Sequence, residues 1–190
     1  MSEEGILLVI TAPSGTGKTT IYRKLLEKRN DLTFSVSCTT RKCRAGEKDG
    51  VDYYFIDREE FRNRIEKGAF VEWAEVHGEH YGTEKVELER CRSSGKVCIL
   101  DLDIQGALNI MKLYPEVITI FIEPPSLEEL KKRLEARGTE SKEDIELRLA
   151  DAKKELEHKC YFQYIVVNDR IEDAVSRLNE IINYELSKRS

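Results

Sequence analysis

The 190-residue chain has no uninterrupted apolar run of the ~18 residues that a membrane-spanning helix requires. Its first five residues include two glutamates, and no long apolar segment follows them, unlike in a secretory signal peptide. The chain also lacks an excess of positive charge, because 36 acidic side chains outnumber 31 Lys and Arg and leave a net charge of −5. Nucleic-acid binding usually needs a concentrated basic face. We therefore expect a cytoplasmic protein whose partners include neither a membrane nor a nucleic acid.

The cysteines lack the CxxC spacing that is typical of zinc sites and redox motifs. There are five of them, at Cys38, Cys43, Cys91, Cys98 and Cys160. From the odd number and the absence of pairs, we expect reduced thiols. The alternative is a zinc site in which Cys38 and Cys43 join His77 and His80.

The chain also shows no internal repeat, low-complexity tract or linker, and its length suits one domain. Short apolar runs alternate with amphipathic helical stretches, which predicts an α/β protein with a mainly parallel sheet flanked by helices. The strand-like runs are residues 6–10, 97–100, 117–122 and 164–167. The helical stretches are residues 20–26, 105–113, 126–136, 141–158 and 171–187. In residues 34–83 the pattern changes to short strands in which side chains alternate between two sides, with one helical stretch (58–66). This pattern predicts a small, largely antiparallel insertion.

A glycine-bearing loop joins the first predicted strand to the first predicted helix and matches a P-loop. Its residues are Ala12, Pro13, Ser14, Gly15, Thr16, Gly17, Lys18 and Thr19. Glycines allow consecutive backbone N–H groups to point at phosphate oxygens, and the N-terminus of the next helix favours negative charge. Lys18 would contact the terminal phosphates of a nucleotide, and the Thr19 hydroxyl would bind Mg²⁺. Ala12 stands where glycine is more common, and the alternative is a glycine-rich turn before an ordinary helix.

Polar side chains follow two of the other predicted strands. Asp101 and Asp103 come at the end of one strand, and Asn168 and Asp169 follow another. Ligands of open parallel sheets bind beyond the carboxyl ends of the strands, so we expect these residues and the P-loop to share one crevice. Asp101 would hold Mg²⁺ directly or through water. Its alternative role is a helix cap, and Asp103 could equally cap the helix that follows it.

Two arginines, Arg41 and Arg44, lie three residues apart in the predicted insertion, and Tyr53 follows. Guanidinium groups bind phosphate oxygens bidentately, so this pair and the nearby tyrosine hydroxyl suit a phosphate monoester. The alternative is a solvated surface pair.

Eight motifs, in one order, resemble the guanylate kinase family and extend the likeness from about Leu7 to about Ile182. They are Ser37-x-Thr39-Thr40-Arg41-x-x-Arg44-x-Gly46-Glu47, Gly50-x-Asp52-Tyr53-x-Phe55, Phe70-Val71-Glu72-Trp73-Ala74, Tyr81-Gly82-Thr83, Ile99-Leu100-Asp101-Leu102-Asp103-Ile104-Gln105-Gly106, Pro124-Pro125-Ser126, Arg133-Leu134-x-x-Arg137-Gly138-Thr139-Glu140 and Val166-Val167-Asn168-Asp169. Cys43 departs from the family pattern, which usually has proline there. An oxidisable thiol beside two arginines is one interpretation of Cys43, and a passive replacement is the other.

The resemblance implies phosphoryl transfer from ATP to GMP, and to dGMP, with Mg²⁺ as cofactor and ADP as co-product. It implies a GMP site made of Ser37, Arg41, Arg44, Glu47, Tyr53, Glu72, Tyr81, Thr83 and Asp103. It implies an ATP site made of the P-loop with Thr20, Arg133, Asn168 and Asp169, and metal ligands Thr19 and Asp101. It implies the catalytic residues Lys18, Arg44, Arg137 and Arg148. Glu72 suits guanine because an ionised carboxylate only accepts hydrogen bonds, whereas guanine offers its N1–H and 2-amino groups as donors.

The resemblance also implies one guanylate-kinase-like domain, either a monomer or a homodimer. Its core would comprise residues 1–33, 84–136 and 151–190, with a GMP-binding insertion at 34–83 and a helical lid at 137–150. One alternative is a catalytically inactive module of the same fold that binds proteins, although Lys18, Thr19 and Arg44 are all present. The other is a kinase for AMP or dTMP, against which Glu72 argues.

Overall fold

The computed structural model describes residues 4–136 and 141–189. Its strands are β1 (Ile6–Thr11), β2 (Leu32–Ser35), β3 (Cys38–Thr39), β4 (Tyr54–Phe55), β5 (Phe70–Val76), β6 (Glu79–Glu84), β7 (Val97–Asp101), β8 (Ile118–Glu123) and β9 (Tyr164–Val167). Its α-helices are α1 (Lys18–Lys28), α2 (Arg58–Glu66), α3 (Lys85–Arg92), α4 (Ile104–Leu113), α5 (Leu127–Ala136), α6 (Lys142–Glu157) and α7 (Ile171–Ser187). A short 3₁₀ helix (His158–Tyr161) precedes β9.

The larger sheet has five strands in the order β2-β7-β1-β8-β9. Strand β2 pairs in parallel with β7, and β8 pairs in parallel with β9. The central strands β7, β1 and β8 are apolar along almost their whole length, and their residues Leu8, Ile99 and Phe121 are completely buried. Such continuous apolar runs are typical of strands that are covered on both faces. The α/β fold class predicted from the sequence is confirmed.

The sequence pattern predicts neither β2 nor α3. Strand β2 has the sequence Leu-Thr-Phe-Ser, which is neither a continuous apolar run nor long enough to show a clear alternation. Helix α3 is mostly charged and buries Glu87, Leu88 and Cys91 against its neighbours. It packs against β2 and β7, so its formation depends on tertiary contacts rather than on a strong sequence pattern.

The smaller sheet has four strands in the order β4-β3-β6-β5. Strand β3 pairs in parallel with β4 and antiparallel with β6, and β5 pairs antiparallel with β6. The predicted insertion is therefore a mixed sheet, with α2 as its predicted helix. A small core of Cys38, Phe61 and Phe70 lies within it, where the Phe61 and Phe70 rings stack with centroids 4.5 Å apart.

The chain divides into two compact units, one made of residues 1–9 and 31–117 and the other of residues 10–30 and 118–190. The first contains the smaller sheet, α3 and α4. In the second, α1 packs against α7, where Arg29 donates hydrogen bonds to Asn179 and Asn183. Helices α5 and α6 of the second unit pack through Leu130, Leu134, Ile145 and Ala152. Among the described residues, no helix has the length and apolar character needed to cross a membrane.

The expectation that all five cysteines are reduced is wrong for two of them. Cys91 and Cys98 form a disulfide, with Cα atoms 5.6 Å apart. Cys91 lies in the last turn of α3 and Cys98 is the second residue of β7, so the short turn between them returns the chain to within disulfide range. Their spacing matches no recognised motif, which is why the sequence did not reveal the pair. Cys38, Cys43 and Cys160 are free thiols.

Helix α6 contains most of the segment predicted as a lid. Ser141 is its N-cap and forms a capping box with Asp144, as the sequence spacing predicts. The helix runs well beyond residue 150, to Glu157. Residues 137–140, including the predicted catalytic Arg137, lie outside the described residues.

Candidate active site

A buried carboxylate lies on the covered face of β5 in the first unit. Glu72 is only 6% exposed, although its neighbours Trp73 and Glu75 face solvent. Its Oε1 accepts hydrogen bonds from the Thr83 backbone N–H (3.0 Å) and from Thr83 Oγ1 (2.7 Å). Ser37 Oγ lies 3.3 Å from the same hydroxyl. Three of the predicted guanine-site side chains therefore form one connected, buried polar group.

Glu72 carries an unusual pKa for a carboxyl group. Burial, with a smaller contribution from the nearby charge of Asp103, raises this pKa from 4.5 to about 7, although the hydrogen bonds from Thr83 oppose the shift. Asp103 is the N-cap of α4 and accepts a hydrogen bond from the Gly106 N–H at 2.7 Å, as one of its two predicted roles requires. The Glu72 and Asp103 carboxyl groups thus lie close together, and a ligand that donates hydrogen bonds would stabilise them in the ionised state.

Arg41 is organised by Glu47. Its Nη1 and Nη2 donate to the two carboxylate oxygens of Glu47 at 3.0 and 2.8 Å, and Glu47 also accepts from the Arg44 backbone N–H at 2.8 Å. Arg41 lies over the Tyr53 ring, and the Tyr53 and Tyr81 rings meet edge to face. The pKa of Glu47 lies below its usual value, because hydrogen bonds from Arg41 and Arg44 outweigh the effect of burial. All five of these predicted GMP-site residues thus belong to one cluster, in which Glu47 holds Arg41.

The predicted P-loop has the expected local geometry in the second unit. Gly15 and Gly17 have φ values of 90° and 95°, a region that favours glycine. A Cβ on Gly15 would lie 2.7 Å from Leu134 of α5, so the loop also needs this glycine for space. Helix α1 begins at Lys18 directly after the loop, with Thr19 and Thr20 exposed in its first turn. This arrangement leaves the hydroxyls and the helix N-terminus available to a phosphate ligand.

The P-loop is fixed by side chains that are distant in sequence. Asn168 is 1% exposed and its Nδ2 donates to the Thr16 carbonyl at 2.5 Å. Arg133 in turn donates to the backbone carbonyls of Asn168 (2.9 Å) and Asp169 (3.1 Å). Arg148 of α6 donates to Ser14 Oγ at 2.7 Å. The predicted ATP-site residues of this unit are therefore brought together, with Asn168 acting on the loop itself.

The remaining predicted residues are Asp101, Asp169 and the cysteines of the zinc alternative. Asp101 is the last residue of β7, and Asp169 is exposed after β9. The zinc alternative has no support, since no group of three or more His, Cys, Asp or Glu in the described part of the chain could hold a metal ion. Cys38 is buried beside Arg64, and burial raises the pKa of its thiol to about 12.

A buried glutamate on α3, paired with the exposed Arg90, is not indicated by the sequence. Glu87 is 6% exposed and its Oε1 accepts the Val36 N–H at 2.8 Å. Arg90 bridges Glu87 and the Phe34 carbonyl, the latter at 2.9 Å. Together they fix the backbone directly before Ser37. Only the burial of Glu87 identifies it, and nothing in the sequence pattern of α3 indicates that burial.

A P-loop that precedes a helix in an α/β fold with a five-stranded sheet defines a P-loop nucleotide-binding protein. The family model described as "Guanylate kinase" matches residues 4–185, and the chain belongs to the guanylate kinase family.

Individual relatives agree with this assignment. The chain is 46% identical over 185 residues to a guanylate kinase of Thermotoga maritima, covering 97% of this chain and 89% of that protein. It is 48% identical over 178 residues to a guanylate kinase of Clostridium perfringens, covering 94% and 82%. The crystal structure of guanylate kinase from Anaplasma phagocytophilum superposes with a TM-score of 0.80 at 38% identity, covering 96% of this chain and 87% of that one. The resemblance read from the sequence motifs is confirmed.

The contact between Asn168 and Thr16 leads to a prediction. We expect Asn168→Ala to raise the KM for ATP by about 10-fold, because an unpaired buried carbonyl costs ~1–3 kcal/mol and loosens the P-loop. The KM for GTP as donor should rise by the same factor, since the effect acts on the loop rather than on the base. Steady-state kinetics with both donors test this, with the exposed Arg170→Ala as the control. A loss confined to ATP would instead indicate that Asn168 contacts adenine.

Proposed function

We propose that this member of the guanylate kinase family transfers the γ-phosphoryl group of ATP to GMP, and to dGMP, and releases ADP. The observation that carries the proposal is the buried Glu72–Thr83–Ser37 group. Glu72, when ionised, accepts hydrogen bonds, and guanine presents N1–H and 2-amino donors on one edge. Adenine presents an acceptor at N1 and no 2-amino group, so AMP would give the buried carboxylate no donor from the base. Sites of this kind discriminate by about 10⁴-fold.

The donor site rests on the P-loop and the residues that hold it. Backbone N–H groups around Gly15 and Gly17 would bind the ATP phosphates, and Lys18 would neutralise charge on the terminal phosphates. The Thr19 hydroxyl and the Asp101 carboxylate are oxygen donors of the kind that Mg²⁺ prefers, and they would hold the ion. When bound, Mg²⁺ would neutralise negative charge on the phosphates of ATP.

The acceptor phosphate would bind to the cluster around Arg41. Arg41 already has a fixed orientation through Glu47 and Tyr53, so little side-chain entropy is lost when the phosphate binds. Arg44, whose side chain is exposed, would add a second guanidinium. Tyr53 and Tyr81 would contribute hydroxyl donors. Lys18, Arg44, Arg148 and the predicted Arg137 would stabilise the charge of the transferring phosphoryl group, and no general base is required.

The proposal is tested by coupled detection of ADP with ATP and Mg²⁺. GMP, dGMP, AMP, dTMP and UMP are compared as acceptors at equal concentration. We expect turnover with GMP and dGMP and turnover at least ~10³-fold slower with the other three. Binding of GMP without ADP formation would favour the inactive protein-binding module, and efficient turnover of AMP or dTMP would contradict the assignment of the base pocket.

A further inference from the structure

The residue at position 106 determines how much space the Glu72 carboxylate has. Gly106 lies in the first turn of α4, and this helix packs against β5, which carries Glu72. A Cβ on Gly106 would lie 2.6 Å from Glu72 Oε2 and 3.0 Å from Asp103 Oδ1. Carbon and oxygen atoms that are not bonded do not approach to 2.6 Å, so one of them would have to move.

Conformation does not explain this glycine. Gly106 is helical and is not among the residues with a positive φ. In a helix, alanine is more favourable than glycine because glycine loses more backbone entropy on folding. Its own N–H is satisfied by Asp103, as it would be for any residue at this position. The remaining reason for glycine is the space beside the two carboxyl groups.

Glu72 cannot move away cheaply. Its other carboxylate oxygen is held by two hydrogen bonds from Thr83, which is itself completely buried and lies beside Ser37. A displacement of the carboxylate would lengthen these bonds or turn Oε2 away from its present direction. Bonds to buried charged groups are costly to lose.

We propose that Gly106 is a positioning residue for the acceptor base, because the absence of its Cβ leaves the space in which the Glu72 carboxylate faces the guanine edge. This inference rests on the proposed function. Gly106 would influence base selectivity without contacting the base, because it acts on the position of the Glu72 carboxylate.

The test is a double-mutant cycle with Gly106→Ala and Glu72→Ala. Gly106→Ala in the parent protein should lower kcat/KM for GMP at least ~10-fold through KM, while the KM for ATP changes less than ~2-fold. In the Glu72→Ala background the same change should alter kcat/KM for GMP less than ~2-fold, since the Glu72 carboxylate is no longer there to be displaced. The exposed Gln105→Ala on the same helix is the matched control and should alter neither value.

Thermal unfolding separates positioning from a structural defect. Gly106→Ala should lower the melting temperature in the parent but raise it or leave it unchanged in the Glu72→Ala background, where the Glu72 oxygen at 2.6 Å is absent and alanine is the better helix former. The inference is overturned if GMP kinetics are unchanged in Gly106→Ala, or if the loss is equally large in both backgrounds. Absence of any GMP turnover by the parent protein would instead contradict the proposed function, and the selectivity role would fall with it.

Discussion

Replacing Lys18 with alanine is expected to reduce the rate of ADP formation with GMP by more than ~10³-fold. Lys18 is the first residue of α1 and directly follows Gly17, whose left-handed backbone directs the end of the P-loop. Its ammonium group would neutralise charge that grows on the phosphates during transfer. The measurement is the coupled ADP assay with saturating ATP, Mg²⁺ and GMP.

Two controls make this result specific. Lys24→Ala changes another lysine of α1, which forms a surface ion pair with Glu172 at 3.6 Å, and should leave the rate within ~2-fold. GMP binding to Lys18→Ala, measured by calorimetry, should be close to that of the parent, because the proposed base and phosphate contacts of GMP come from residues 37–103. A Lys18→Ala protein that is folded and retains most of its activity would show that the P-loop lysine is not needed for phosphoryl transfer.

Glu72→Gln is expected to lower kcat/KM for GMP by about 10³-fold while making the protein more stable at alkaline pH. Glutamine has nearly the same shape, and its carbonyl oxygen can still accept both hydrogen bonds from Thr83. Its NH₂ group, however, would face the N1–H and 2-amino groups of guanine. All of these groups are hydrogen-bond donors, so no hydrogen bond could form between them. Steady-state kinetics with GMP measure the loss. Glu75→Gln on the exposed side of the same strand is the matched control, and its kcat/KM should be within ~2-fold of the parent value.

The sign of the stability change follows from the raised pKa of Glu72. The folded protein keeps the Glu72 proton up to a pKa of about 7, whereas the unfolded chain loses it near 4.5. Between these values the folded state binds more protons, so the free energy of unfolding decreases as the pH rises. Above pH 7 the cost is complete, and from 1.36 kcal/mol per pKa unit it is on the order of 3 kcal/mol.

Glutamine never becomes charged, so Glu72→Gln avoids this cost. Its melting temperature should exceed that of the parent by ~6–10 °C at pH 8, and the difference should fade toward pH 4.5. Thermal unfolding as a function of pH measures both limits, and Glu75→Gln should follow the parent curve. A Glu72→Gln protein that is less stable than the parent at pH 8 would show that the ionised carboxylate is well solvated rather than costly.

The elements with a strong local signal could be predicted from the sequence. Strand β1 and the P-loop combine an apolar run with glycines and a Lys-Thr pair, and Ser141 with Asp144 marks the start of α6. Strand β2 could not be predicted because only Leu32 and Phe34 of its four residues are apolar. Its place beside β7 depends on pairing between residues more than 60 positions apart.

For the candidate site, the sequence motifs predict the residues but not their burial or their contacts. The motif resemblance identified Glu72, but its burial could not be read from the strand pattern, because a glutamate in an alternating strand normally faces water. The hydrogen bond from Asn168 to the Thr16 carbonyl joins residues 152 positions apart. Glu47 was predicted as a GMP contact, and its bidentate pairing with Arg41 depends on how the loop between them folds. Local sequence thus predicts the members of the site, whereas the contacts among them depend on tertiary structure.

We propose that the carboxylate of Glu72 recognises the donors on the guanine edge. Comparing kcat/KM for GMP and for inosine monophosphate tests it most directly, since the two differ only by the 2-amino group. We expect the parent protein to favour GMP by at least about 100-fold, because inosine monophosphate leaves part of a buried carboxylate unpaired. Equal kcat/KM values for the two acceptors would contradict it.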